Sequence, residues 1–592
     1  MNPSRILAVY ITSEPQTHSG VRHALDHLQT LAKTFNKRCH SRTLGKWTVH
    51  LCYEGDLTRL LPPPTPETPQ TLCVGPIWGT QHSIYDYPKV PLHQIQDRFL
   101  HIRIHENELE IQNDIYGAIP IFYTSKNGLH LSNIEPCVVA GSQVTPEDID
   151  PNALGILVHF SHLLWDETLF KPIKSQEPDS NLTVSWRAES EIKFTLKPSQ
   201  TIQSTSERHA YSDQQVAHAL CELNSRLVTQ QLGQFPYITL PLSGGYDSRM
   251  IFCALAHHPT FSKQLHCFTY GSPQDIDVKL AQTLCQKNKI PWQNIQLPFN
   301  YLNTSYLTKN DLIFGSSTHP HSMYQLEFVD TLKPHIPSEA VITSGFMTGV
   351  PGGQHLGMMD KVPNASWLDL MNLFGQSSHW PVQELCTLSP QFTTQVNDFA
   401  QAQLEKAASR LVGPKTHQFV ILDLWTRQRN FISYYPRGIE WEFPCLSPHV
   451  HPEYLNFFLS LHPKHLHNRL SVELMLMNHY PTEAHIPANS NGVKSLSWWV
   501  PQLITRNLYI EKRTFFDVSA LRKHPKTWFF PIQDLPSQMK PIFNQFLPKK
   551  IQTDSIQNAL TAPLHQAEHH YERILPWQSL AFTLLRMSSW QK

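Results

Sequence analysis

A chain of 592 residues has room for about two to four domains, and with 40% of its residues hydrophobic it can bury substantial cores. Its 48 Lys and Arg balance 48 Asp and Glu, so the formal net charge is zero. That balance argues against a broad nucleic-acid surface, which needs a basic excess, and removes any general attraction to anionic membranes.

The chain opens with Met1-Asn2-Pro3-Ser4-Arg5 and then the apolar run Ile6-Leu7-Ala8-Val9-Tyr10-Ile11. That run is too short for a signal-peptide core and far too short to span a bilayer. It predicts a buried first strand and, with no longer apolar run downstream, a soluble cytoplasmic protein. The ten cysteines are scattered and none forms a Cys-x-x-Cys pair, so a zinc ribbon is not expected. Residues such as Cys253, inside Met250-Ile251-Phe252-Cys253-Ala254-Leu255, read as buried reduced thiols.

The first 200 residues read mainly as β, with short alternating or apolar runs at 6–11, 47–53, 72–78 and 99–104. Two hairpins are predicted. One pairs His101-Ile102-Arg103-Ile104 with Leu109-Glu110-Ile111. The other pairs Ile119–Tyr123 with Leu129-His130-Leu131 across Asn127-Gly128, a dipeptide suited to positive φ at both turn positions. Leu61-Pro62-Pro63-Pro64-Thr65-Pro66 reads as a surface loop or small linker, and the polar stretch Lys197–Ser212 as a domain boundary.

From Ser212 the period changes. Val216, Leu220, Leu223, Leu227 and Val228 share one helical face. Strands are predicted over 237–242, 265–270, 292–297 and 340–343, with helices from about Ser248 and over 277–287. Alternation of this kind indicates a parallel sheet covered by helices. Beyond 360 the chain reads as mostly helical, with no internal repeats.

The chemistry-bearing stretch is Ser243-Gly244-Gly245-Tyr246-Asp247-Ser248, set between a buried strand and a helix. Glycines admit close approach of an anion and positive φ, successive N–H groups form a concave anion site, and a helix N-terminus reinforces it. Ser243 and Ser248 add hydroxyl donors. Asp247 would repel a phosphate unless a cation such as Mg²⁺ stands between them. The competing reading is a plain glycine turn with a capping serine.

The six-residue string resembles the pyrophosphate loop of the ATP pyrophosphatase superfamily and lacks the lysine of a Walker P-loop. Further stretches are similar to the asparagine synthetase family: Asp114–Tyr123, Leu131–Glu135, Thr168-Leu169-Phe170-Lys171-Pro172-Ile173, Arg427-Gln428-Arg429 and Glu442–Pro448. The resemblance spans about 110–490. It implies an α/β and α+β protein with two domains. Residues 1–200 would be a degenerate glutamine-amidotransferase-like, Ntn-hydrolase-like β-rich sandwich. Residues 210–592 would be a parallel-sheet, HUP-like ATP-pyrophosphatase domain with a helical extension.

By the same resemblance ATP would contact Leu242, Ser243, Gly244, Gly245, Tyr246, Asp247 and Ser248, with Tyr270 at the adenine through its backbone and Ser344-Gly345 at a third strand end. Asp247 would hold Mg²⁺, and Lys494 is the nearest counterpart of the family's late catalytic lysine. The implied activity is that of an AMP-forming carbon–nitrogen ligase. It would adenylate a small-molecule or peptide carboxylate for attack by an amine or ammonia, without nucleic-acid or membrane partners.

Three departures qualify the resemblance. Phe346 stands where the family has a glutamate, and Gly349 where it has a second metal-binding aspartate. Asn2 stands where glutamine-hydrolysing members carry a nucleophilic cysteine, so glutamine hydrolysis is not expected; relatives without that cysteine include β-lactam synthetases and lasso-peptide cyclases. The rival reading is a non-catalytic nucleotide-binding or scaffold member. Secondary candidates are His355 at the nucleotide edge, the metal-like groups His319-Pro320-His321, His449-Val450-His451 and His462–His467, and Trp498-Trp499 as a stacking platform; core or surface packing is their default.

Overall fold

The computed structural model describes residues 4–61, 70–75, 97–160, 162–186, 192–199, 202, 211–271, 273, 275–297, 304–318, 324–356, 366–369, 390–486 and 488. Asn2, the 62–66 proline run, most of the 197–212 boundary, His319–His321, Lys494 and Trp498-Trp499 lie outside the described residues.

The N-terminal part is a curled, mixed sheet of eleven strands. In chain order these are β1 (Arg5–Thr12), β2 (Arg38–Leu44), β3 (Trp47–Glu54), β4 (Gln70–Val74), β5 (Leu100–Ile104), β6 (Glu108–Asn113), β7 (Phe122–Thr124), β8 (His130–Ser132), β9 (Lys174–Ser175), β10 (Ser180–Trp186) and β11 (Ile192–Pro198). Their order is β11-β10-β6-β5-β4-β1-β8-β7-β9, with β3 on the other edge of β1 and β2 beyond it. β1 is the pivot of the curl. Ile6 pairs in parallel with Val74 of β4, whereas Tyr10–Thr12 pair antiparallel with β8, and the register against β3 shifts between Ile6 and Ala8. Alternating residues then face one core that joins Ile6, Val9, Ile11, Val49, Leu51, Ile102, Ile111, Leu182 and Val184.

Both predicted hairpins occur. In the second the strands are shorter than expected, Phe122–Thr124 against His130–Ser132, and the connection between them is five residues, 125–129. Asn127 (φ 56°) and Gly128 (φ 104°) do take positive φ. The expectation of a mainly β region is corrected by helices α1 (Ser19–Thr34), α2 (Leu57–Leu60), α3 (Glu135–Ser142) and α4 (Pro151–Phe160). α1 places Val21, Ala24, Leu28 and Leu31 on its buried side. They pack with Ala8, Tyr10 and Cys52 on one side and with Phe314, Leu326, Tyr434 and Trp441 of the second half on the other.

The second sheet is fully parallel, order β14-β13-β12-β15-β16, built from β12 (Ile238–Pro241), β13 (Leu265–Tyr270), β14 (Trp292–Ile295), β15 (Val341–Thr343) and β16 (Cys445–Leu446). The fifth strand, β16, was not expected. Helices α5 (Asp213–Leu232), α6 (Tyr246–Ala256) and α7 (Ile276–Asn288) follow the predicted positions within two residues. Ser212 and Gln215 form a capping box that starts α5, and Val216, Leu220, Leu223, Leu227 and Val228 are all buried in one core. Described residues 390–486 are mostly helical, including a wide-turned π segment, Leu424–Ile432.

The two halves are joined by buried arginines. Arg429 donates to Gly117 O (3.2 Å), Trp165 O (2.8 Å) and Ser175 Oγ (2.9 Å). Arg98, fully buried, donates to Asp97 Oδ1 (3.0 Å), to Cys445 O (2.7 Å) on β16 and to Glu440. Trp425 Nε1 donates to Ile115 O (2.9 Å). Among the described residues no helix is long and apolar enough to cross a membrane.

Candidate functional site

β12 is the middle strand from which the chain winds one way to β13 and β14 and the other way to β15 and β16. Open parallel sheets bind ligands at the carboxyl ends of strands where the winding direction reverses. The end of β12 runs into Leu242, whose N–H donates to Phe268 O (2.7 Å) and whose carbonyl accepts from Thr269 Oγ1 (2.8 Å). Leu242 and the end of β13 are thereby tied together. Tyr270 closes β13 opposite Ile295, and Gly271 follows with φ 139°.

The loop then folds on itself. Ser243 N donates to Ser248 Oγ (3.1 Å), the two serine hydroxyls meet at 3.2 Å, and Gly245 N donates to Ser243 Oγ (3.2 Å). The hydroxyls expected to be offered to a ligand are engaged with the loop in this form. Neither Gly244 nor Gly245 takes the expected positive φ; Gly245 sits at −75°. Space explains Gly244 instead: a Cβ there would lie 2.6 Å from Leu280 Cδ1 and 3.0 Å from Asp277 Oδ1. Asp277, in the first turn of α7, accepts from Gly244 N at 2.9 Å. A carboxylate oxygen thus occupies the amide that an anion nest would offer. Gly245 caps α6 without a side chain, so no cap residue answers the first-turn N–H groups.

Ser344-Gly345, after β15, comes against this loop. Ser344 N donates to Leu446 O (2.7 Å), and a Cβ on Gly345 would stand 3.2 Å from Ser248 N and 3.3 Å from Asp247 Cβ. The stretches 242–248, 268–271 and 344–345 therefore converge at one edge of the sheet. Phe346 and Met347 turn into the hydrophobic core, 5% and 2% exposed, in the same cluster as Leu242 and Tyr246. Met347 takes φ 65°, a costly conformation for a bulky side chain. At Gly349 a Cβ would lie 2.5 Å from Asp247 Oδ1 and closer still to Gln354 Oε1. Asp247 has filled the space that a second carboxylate would need.

Asp247 keeps 37% of its side-chain surface open, and its partial burial raises its pKa against the opposing pull of Arg469 and then His355. Arg469 Nη1 lies 3.4 Å from Asp247 Oδ1. Tyr246, buried, donates to Glu473 Oε1 (2.9 Å), with the guanidinium carbons of Arg249 and Arg469 at 5.9 and 5.4 Å from its ring centre. Arg249 is committed to the carbonyls of Gly244 (3.0 Å), Glu483 (3.1 Å) and Ile486 (2.6 Å). His355 is bonded through Nδ1 to Asp423. Burial alone would raise the Asp423 pKa, but the charge and hydrogen bond of His355 hold it below the usual range.

Four of the other histidine candidates hold the fold together, while His319 and His321 lie outside the described residues. His449 bridges Thr348 Oγ1 (2.6 Å) and Asn224 Oδ1 (2.8 Å) in the core. His451 caps the helix 452–460, His462 caps a short turn, and His465 pairs with Asp213. Among the described residues no group of three His, Cys, Asp or Glu side chains could hold a metal. Among the described residues, the carboxylates that reach the loop are Asp247, Asp277 and Glu473, of which Asp277 is taken up by Gly244 N and Glu473 by the Tyr246 hydroxyl. A cavity lined by Arg5, Gly75, Asn133, Arg437 and Glu440 lies under the N-terminal sheet, and no loop residue lines it.

Sequence reasoning missed Asp277, Gln354, Arg469 and Glu473. Arg469 reaches Asp247 across 222 residues of chain, and no local pattern marks such a contact. Asp277 carried a weak signal, as an acidic residue at the start of the next helix.

No protein-family model matches the chain, and no curated protein matches it. Solved structures do match, among them glutamine phosphoribosylpyrophosphate amidotransferase from B. subtilis, complexed with ADP and GMP. The match is at 9% identity and a TM-score of 0.22, over 60% of this chain and 78% of that one. A likeness that slight carries no argument about this protein.

Proposed function

We propose that the chain is an ATP-dependent, AMP-forming amide ligase, similar to asparagine synthetases. The observation that supports it most is Asp247 at the meeting point of the three strand ends, in contact range of Gly345 and Gly349. A carboxylate set in an anion-binding loop is costly unless the ligand brings or meets positive charge. In this reading ATP is the substrate, its phosphates lie along the 243–248 loop and its adenine lies by the backbone of Tyr270. The substrate carboxylate attacks the α-phosphorus, the α–β bond breaks, and pyrophosphate leaves. The loop and the first turn of α6 stabilise the charge that develops on that leaving group. An amine or ammonia then attacks the acyl carbon and displaces AMP. Mg²⁺ supplies neutralisation of the pyrophosphate. For pyrophosphate to reach Gly244 N, Asp277 must release it. Lys494 is the proposed late catalytic lysine.

A second reading, a non-catalytic nucleotide-binding member, is favoured by two contacts: Asp277 on Gly244 N and Arg469 on Asp247. Exchange of labelled pyrophosphate into ATP, run against a panel of carboxylic acids, separates the two. The ligase reading expects acid-dependent exchange that falls by about a hundredfold or more in Asp247→Asn, the scale of losing one preorganised charge contact in a transition state. Exchange unchanged in a folded Asp247→Asn protein would remove Asp247 from the mechanism. Nucleotide binding with no exchange for any acid would favour the second reading.

A further inference from the structure

Arg469 is brought to the loop by an unusual piece of backbone. Asn468 and Arg469 both lie in the left-handed region, each at φ 58°, immediately before the helix Leu470–His479. Non-glycine residues persist there only where surrounding packing enforces it, and such strain clusters at ligand clamps. The preceding turn is packed tightly: Gly353, with φ 91°, lies so close to it that a Cβ would collide with Leu466 O. The turn carrying Arg469 is therefore clasped to the same 344–356 segment whose Gly345 and Gly349 abut Asp247.

The guanidinium at the end of this turn is 8% exposed and meets Asp247 Oδ1 at 3.4 Å. A well-formed charge-assisted N–H···O bond is about 2.7–2.9 Å long and often one of a bidentate pair, and this contact is longer and single. An arginine has five N–H donors, and this long contact is the one hydrogen bond its side chain makes among the described residues. The neighbouring cations are already committed, Arg249 to three carbonyls and His355 to Asp423. No second carboxylate can enter at position 349 to recruit another cation.

We propose that Arg469 is an anion-binding residue, the fixed positive charge that a pyrophosphate-bearing ligand engages at the 243–248 loop. On binding, the guanidinium turns from its long contact with Asp247 to two phosphate oxygens, whose spacing matches its planar fork. The chain thereby supplies from a side chain part of the charge that a metal held by two carboxylates would supply. This rests on the reading of the loop as a phosphate site.

The test is calorimetric titration of the full chain with inorganic pyrophosphate, once with a chelator and once with Mg²⁺. Wild type should bind pyrophosphate with the chelator present. Arg469→Ala should weaken binding by about tenfold or more, the scale of a lost charge-assisted bond, with Arg469→Lys in between because it keeps charge without the fork. Asp247→Asn should bind more tightly, since it removes the competing carboxylate. Arg469→Gln replaces Arg469→Ala if the latter does not melt cooperatively. Wild-type-like binding by the arginine variants, or binding by wild type only with Mg²⁺, would overturn the assignment and leave the loop reading standing. No binding by wild type under either condition would overturn both.

Discussion

Gly349 shows how one residue can change what a site accepts. A carboxylate is absent there, yet the position is not vacant, because Asp247 and Gln354 already fill the volume a side chain would need. Placing a carboxylate there should therefore not add a metal ligand. Gly349→Asp should instead lower stability by about 1–3 kcal/mol through overpacking, and add like-charge repulsion with Asp247. Thermal melting reads the first effect and Mg²⁺ titration the second; a variant that melts like wild type and gains Mg²⁺ affinity would show that the loop opens more readily than its packing implies. At this scale the sequence was informative where chemistry is local. The string 243–248 reads as a candidate anion loop from its own residues, and its strand-to-helix placement is what the structure shows. Arg469 carried no local signal and Asp277 only a weak one, since they reach it from 222 and 33 residues away.

At the scale of elements, legibility followed burial pattern. β13 was read to the residue, since Leu265–Tyr270 is a continuous apolar-leaning run of a parallel sheet, and α5 was read from one apolar face repeating at helical spacing. β2 was missed because it flanks β3 at the sheet margin with an alternation of exposed and half-buried residues, Arg-Cys-His-Ser-Arg-Thr-Leu, that offers no hydrophobic signal. β16 escaped because two residues are too few for any period. α1 was legible and overlooked: Val21, Leu28 and Leu31 stand at helical spacing, inside a region read as β on the strength of its neighbours. The glycine loop after β15 was read for its chemistry, whereas its conformation also serves packing, with Phe346 and Met347 in the core and Gly353 against Leu466.

The whole molecule gives a role to part of its unusual histidine content. His50, His101, His130, His162 and His449 are nearly inaccessible, and burial lowers their pKa values to about 4, 4, 4, 3 and 3. Each is held neutral in the fold. Above pH ~6.5 neither the folded nor the unfolded chain protonates them, and their packing is fully stabilising. As pH falls through ~6.5 the unfolded chain takes up protons that the folded chain refuses, and stability declines until pH approaches the folded values. Each histidine contributes a slope of up to about 1.4 kcal/mol per pH unit, so the five together reach about 7. Asp114, raised to about 6 by burial, opposes this, as do Asp97, Asp247 and Glu440, which burial also raises, and His257, raised by its hydrogen bond to Glu483. The urea midpoint should therefore fall steeply between pH ~6.5 and ~5; a midpoint constant down to pH 4.5 would mean these histidines are not held neutral.

Whether the converging strand ends form one nucleotide-phosphate site is decided by hydrogen exchange of the backbone amides with and without Mg·ATP. Slowed exchange is expected in peptides covering 242–248, 268–271 and 344–349, with the strands of the N-terminal sheet unchanged. Protection confined to other segments, or exchange identical with and without saturating nucleotide, would contradict it.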